Sequence, residues 1–160
     1  MYQWLVYAHI GSVLLFVLAH GASAAMALQI KREASTEGVK ALVILSTLSS
    51  RVMYPFLLLI IITGLWLGAA GGWFGHAWIW TALIALILTF GLMTVLGRQY
   101  HPIRVAAGQG RGRDRGGDAA APATPDEVRR LALSTSPWPI TILGIVALGF
   151  ILWLMLFKPF

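Results

Sequence analysis

The sequence predicts an all-α protein, a single bundle of four transmembrane helices, on three observations. The first is a set of four long apolar stretches, roughly 4–30, 52–70, 77–97 and 138–157. Each has about 19 residues or more, enough to cross a ~30 Å hydrocarbon layer at 1.5 Å per residue. The second is composition: 58% hydrophobic residues and a mean hydropathy of +0.78 are too apolar for a soluble domain of 160 residues. The third is the placement of charge. Lys31, Arg32 and Lys40 lie between the first two spans, and Arg98, Arg104, Arg111, Arg113, Arg115, Arg129 and Arg130 between the last two, while 71–76 carries none. Loops of that kind are retained in the cytoplasm, so an even number of spans puts both termini outside. The net charge of +6 then belongs against lipid headgroups in the bilayer, and no nucleic-acid partner is expected.

The first span, about 27 residues and roughly 40 Å as a helix, exceeds the hydrocarbon thickness and should tilt or project. Its N-terminal flank has no basic residue and Lys31-Arg32 follows it, the reverse of a secretory signal, so it is expected to be retained. Before the second span, 39–47 is apolar enough for helix, but Ser49, Ser50 and Arg51 interrupt the run and Pro55 predicts a kink. Trp4, Trp73, Trp78, Trp80 and Trp153 form the expected aromatic belt on the outer side. The stretch of about 106–123 is rich in Gly, Ala, Pro and Arg without apolar period and reads as a disordered cytoplasmic loop. Thr124-Pro125-Asp126-Glu127 is a helix-start signature, predicting a short helix over about 125–133 before the fourth span.

What is missing narrows the chemistry. Without cysteine there are no thiolate metal sites, iron–sulfur clusters or thiol catalysis. All six acids (Glu33, Glu37, Asp114, Asp118, Asp126 and Glu127) fall outside the spans, which excludes an intramembrane carboxylate relay or a carboxylate-bridged metal pair.

Two of the four histidines, His9 and His20, lie inside the first span. On a helix they stand about 20° apart around the axis and roughly 16 Å apart along it, with Ser12 and Ser23 about 60° and 40° to one side of His9. These four polar side chains share a face, which should turn into the bundle because lipid cannot satisfy ring nitrogens. One reading is structural: each imidazole bonds a neighbouring helix, a contact worth about 0.6–2 kcal/mol. The other is coordination of haem iron by His9, His20 or both, for which an apolar bundle and one axial histidine suffice. Scattered methionines and no cysteine argue against copper. Met53 and Met93 are thioethers available as a second axial ligand, and Arg51 or Arg98 could meet haem propionates; His76 reads as interfacial and His101 as a surface residue.

The opening MYQWLVYAHIGSVLLFVLAHG resembles a mostly bacterial family of four-helix integral membrane proteins of unknown function, distantly akin to the membrane domain of the CopD copper-resistance proteins and to HemJ. The resemblance extends over all four spans to the closing ILWLMLFKPF. In HemJ-like proteins an early histidine behind a Tyr-x-Trp-Leu start ligates b haem, and the matching residues here are Tyr2, Trp4, Leu5 and His9. The resemblance therefore implies the fold, the bacterial inner membrane and b haem at His9. It does not extend to tetrapyrrole oxidation, since acids that could serve as bases are absent from the spans.

Three functions stand side by side: a haem protein exchanging electrons with a quinone or redox partner, a non-catalytic subunit or anchor with structural histidines, and transport of copper or a small solute, which would call for a homo-oligomer. The charge pattern itself generates an expectation. A periplasm-active reporter fused after Phe160 should be active; signal only from a cytoplasm-active reporter would reverse the orientation.

Overall fold

In hydrocarbon a backbone N–H or C=O has no water to turn to, so an apolar chain closes its hydrogen bonds within a helix. The computed structural model describes residues 1–108 and 123–160 and contains no strand among them. Its helices are α1 (Tyr2–Ile30), α2 (Thr36–Ala70), α3 (Ala77–Gly97), α4 (His101–Ala106), α5 (Pro125–Ser134) and α6 (Trp138–Phe157), with single 3-10 turns at Trp73–Gly75 and Arg98–Tyr100. Among the described residues four helical segments are long and apolar enough to cross a membrane, which makes this an all-α multi-pass membrane fold. The loop expected at about 106–123 falls mostly on 109–122, outside the described residues; at its near edge Ala106 still belongs to α4.

The helix holding the second span begins well before Val52, at Thr36, and runs 35 residues. Ser49, Ser50 and Arg51 interrupt the hydropathy without breaking the helix, because hydroxyls there bond back along it. Thr47 donates to the Val43 carbonyl at 2.8 Å and Ser50 to the Ser46 carbonyl at 2.9 Å. Pro55 also lies within α2, where its missing N–H removes one rung of the ladder. The start is fixed by Ser35, whose hydroxyl oxygen accepts the Gly38 N–H at 3.0 Å. Glu33 in turn accepts the Ser35 N–H at 3.0 Å and the Ser35 hydroxyl at 2.8 Å, and these bonds hold its carboxyl below the ordinary range. At α5 the Thr124 hydroxyl oxygen accepts the Glu127 N–H at 3.3 Å, with Pro125 in the first turn.

Helix contacts concentrate in two pairs, α1 against α2 and α3 against α6. The pairs are joined at the basic end, while the opposite end has a core within the α3–α6 pair, flanked by the α2–α3 connection. At the basic end Ala27, Ile30, Val39, Val43, Tyr100, Ile103, Val128 and Ala132 form one core, so α4 and the apolar face of α5 pack against the α1–α2 hairpin. There the Gln99 side chain donates to the Ser136 carbonyl at 3.0 Å and accepts the Ser136 N–H at 2.9 Å, pinning the approach to α6 against the end of α3. At the end bearing the termini Trp78, Ile79, Ala82 and Leu154 form a second core, with Trp73 against it. Lys158, in a left-handed conformation with φ 44°, holds its ammonium 4.0 Å from the Trp73 ring centroid. The Trp78 N–H donates to the Phe160 carbonyl at 3.2 Å. Trp78 thus differs from the belt residue the sequence suggests: it is 3% exposed and packs on Trp73 rather than facing headgroups, whereas Trp4 and Trp80 are exposed.

The basic-end core makes a direct expectation. Val128 is fully buried, and Val128→Asp would place an unpaired carboxylate there at a cost of about 3–5 kcal/mol. Amide hydrogen exchange should show α5 losing protection while the four long helices keep theirs.

Candidate functional site

The polar face of α1 meets two different environments. His9 reaches across to α2, with Nδ1 2.8 Å from the Thr63 hydroxyl oxygen. The Thr63 hydroxyl donates to the Leu59 carbonyl, so its one proton is committed and His9 Nδ1–H is the donor to Thr63. Gly64 permits this approach, since a Cβ there would stand 3.1 Å from His9 Cε1. Ser23 makes a second crossing, its hydroxyl 3.0 Å from that of Ser46. Ser12, between them in sequence, is buried and donates back to the Ala8 carbonyl at 2.8 Å. Three of the four polar residues are therefore spent on holding or closing helices.

His20 is the exception. Half-buried, it has no hydrogen-bond partner among the described residues. Its ring lies parallel to Phe16 at 6.1 Å, and its Nε2 stands 2.6 Å from where a Cβ on Gly144 of α6 would be. The Met93 Cε lies 3.1 Å from that same position, so α1, α3 and α6 converge on a spot that only glycine leaves open.

Beside that spot is a cavity of about 670 Å³ between the two helix pairs. Its volume falls in the range of small-molecule and cofactor sites. Most of the wall is apolar; His20, Met53, Met93 and the hydroxyl residues Ser23, Ser46 and Ser50 belong to it, and Arg98, Arg104, Tyr100 and His101 stand at its basic end. His9 is not part of this wall, so the two histidines that share a helix face do not share a site. Arg51 is exposed and outside the wall, and His76 is exposed where it caps the start of α3. Among the described residues no three His, Asp or Glu converge as a metal cluster. Around Gly144 the donors are the His20 imidazole and the Met93 thioether, a small set without carboxylate or thiolate.

Gly144, Tyr100 and Arg104 escaped sequence reasoning. Glycine is common in membrane helices and carries no signal of its own. Tyr100 and Arg104 fall where the third apolar stretch has ended, and only continuing the helix through Arg98–Tyr100 and α4 brings them back beneath the bundle. Comparison with known protein families, curated proteins and solved structures finds no match. What the fold itself defines is a small multi-pass helical membrane protein with a sizeable cavity lined by its four long helices.

The His9–Thr63 contact is open to measurement. Thr63→Val should lower the unfolding free energy in detergent by about 0.6–2 kcal/mol. A double-mutant cycle with His9→Ala should return most of that value as coupling; full additivity would mean the two side chains do not interact.

Proposed function

We propose that this chain is a b-type haem protein of the membrane, exchanging electrons with a quinone or a redox-protein partner. The observation that carries the reading is His20, an imidazole without a hydrogen-bond partner among the described residues, in the wall of a mostly apolar cavity lined by the four long helices. A neutral imidazole with no hydrogen bond to the protein is open to a ligand, and iron coordination would use that nitrogen.

The residues fit the group. His20 would hold the iron through a ring nitrogen, and Met93, beside the same glycine, or Met53 would offer a thioether. Gly144 clears the approach to α6, where any larger side chain would meet the imidazole. Most of the wall is apolar, and Arg98 at its basic end would be the group to meet carboxylates at the edge of a macrocycle. When bound, b haem supplies a one-electron iron couple whose potential depends on axial ligands and burial.

The resemblance of the chain's opening to HemJ-like proteins supports haem but points to His9. The Thr63 contact favours a fastening role for His9 instead, the same role that both histidines would have in a non-catalytic anchor. The reading commits to His20. It also includes a location in the bacterial inner membrane with both termini outside, supported by the basic loops.

Absorption spectra of detergent-purified protein from haem-replete cells test this. Wild type should show a Soret band and sharpened α and β bands with dithionite. His20→Ala and Gly144→Val should lose them, and His9→Ala should keep them. A featureless visible spectrum from wild type would end the haem reading; loss in His9→Ala with retention in His20→Ala would move the ligand to His9.

A further inference from the structure

The cavity wall changes character along its length. Around Phe90 and Leu148 it is hydrocarbon, while Arg98 and Arg104 stand at the basic end. Neither arginine has a carboxylate partner among the described residues, and the described acids Glu33, Glu37, Asp126 and Glu127 are absent from the wall. Tyr100 lies in the same wall. It is 9% exposed, and its hydroxyl is buried without a hydrogen-bond partner among the described residues. Arg104 follows Tyr100 by four residues and lines the same wall. A buried phenol that donates to nothing, an exposed Arg98 and a half-buried Arg104, neither arginine paired with a carboxylate among the described residues, form an incomplete set of donors. A bound oxyanion would complete it.

We propose that this cavity binds an amphiphilic carboxylate, its apolar body between the helix pairs and its carboxylate taken by Arg98, Arg104 and the Tyr100 hydroxyl. The size of the cavity points to one flat macrocycle or one folded acyl chain rather than the two chains of a phospholipid, which favours a carboxylate head over a lipid phosphate. For haem the inference rests on the reading above and orients the propionates toward the basic end. For a fatty acid it stands without that reading, because Arg98, Arg104 and Tyr100 are not iron ligands.

The test compares each free acid with its own methyl ester on the full chain in nanodiscs. Hemin is set against hemin dimethyl ester by the Soret shift, and oleate against methyl oleate by calorimetry. Wild type should prefer at least one free acid by about tenfold or more, the scale of a charge-assisted hydrogen bond. The preference should collapse in the Arg98→Gln/Arg104→Gln double variant and shrink several-fold in Tyr100→Phe. Preference for oleate with no hemin binding would uphold the inference and end the haem reading. Equal affinity for acid and ester in wild type would overturn the inference, even if hemin binds, and this comparison does not depend on any variant folding. A preference that survives the double variant overturns it as well, as does failure of both acids to bind.

Discussion

A lipid bilayer offers a protein no hydrogen-bonding solvent, so every polar group carried into it must find its partner within the chain. This structure meets that demand in two ways. Hydroxyls turn back on their own helices, as Ser12, Thr47, Thr89 and Thr94 do, each donating to the carbonyl four residues earlier. Others cross between helices, as Ser23 does to Ser46, and the His9 imidazole does the same to Thr63. Against that background the residues that do not comply stand out. The His20 ring and the buried Tyr100 hydroxyl lack partners among the described residues, and both belong to the wall of one cavity. The place where the constraint is left unmet is the place where a ligand has something to supply.

The cavity follows from how the helices are held. Between helices in lipid there is little hydrophobic drive to association, so contact depends on close packing and polar links. Here α1 packs against α2 and α3 against α6, but the two pairs meet through the core at the basic end, the second core lying within α3–α6. Bulky groups fill both ends: Tyr100 and Ile103 on one, Trp78 and Leu154 on the other. Between them the wall sets Phe16 and Phe90 beside Gly144 and Met93, and the space between remains.

Much of this was legible in the sequence, and the reasons are physical. Long apolar runs admit one backbone solution in lipid, so the all-α fold and its four membrane-length helices can be read from hydropathy. The Thr124-Pro125 signature likewise marks a helix start whose chemistry is local. The beginning of α2 at Thr36 was harder, because hydropathy is interrupted at Ser49–Arg51 while the helix is carried through by back-bonded hydroxyls. Helical periodicity placed His9, Ser12, His20 and Ser23 on one face of α1. It could not say that one imidazole would meet a threonine and the other a glycine, because that depends on which helix lies opposite at each level. Tyr100 and Arg104 needed the course of the chain beyond the third apolar stretch, which no single-segment pattern contains.

Ala106 and Ala107 at the end of α4 and Ala123 just before α5 rest against the same small core. The residues on either side of 109–122 thus stand against one core. A segment tethered so closely at both ends adds little closure entropy when its length changes, about 0.6 kcal/mol for each doubling. The stretch between those alanines is therefore the natural port for insertion, where a fluorescent domain or an affinity module could be spliced in. The bundle would be asked to supply only two anchor points, and neither terminus would need to be altered.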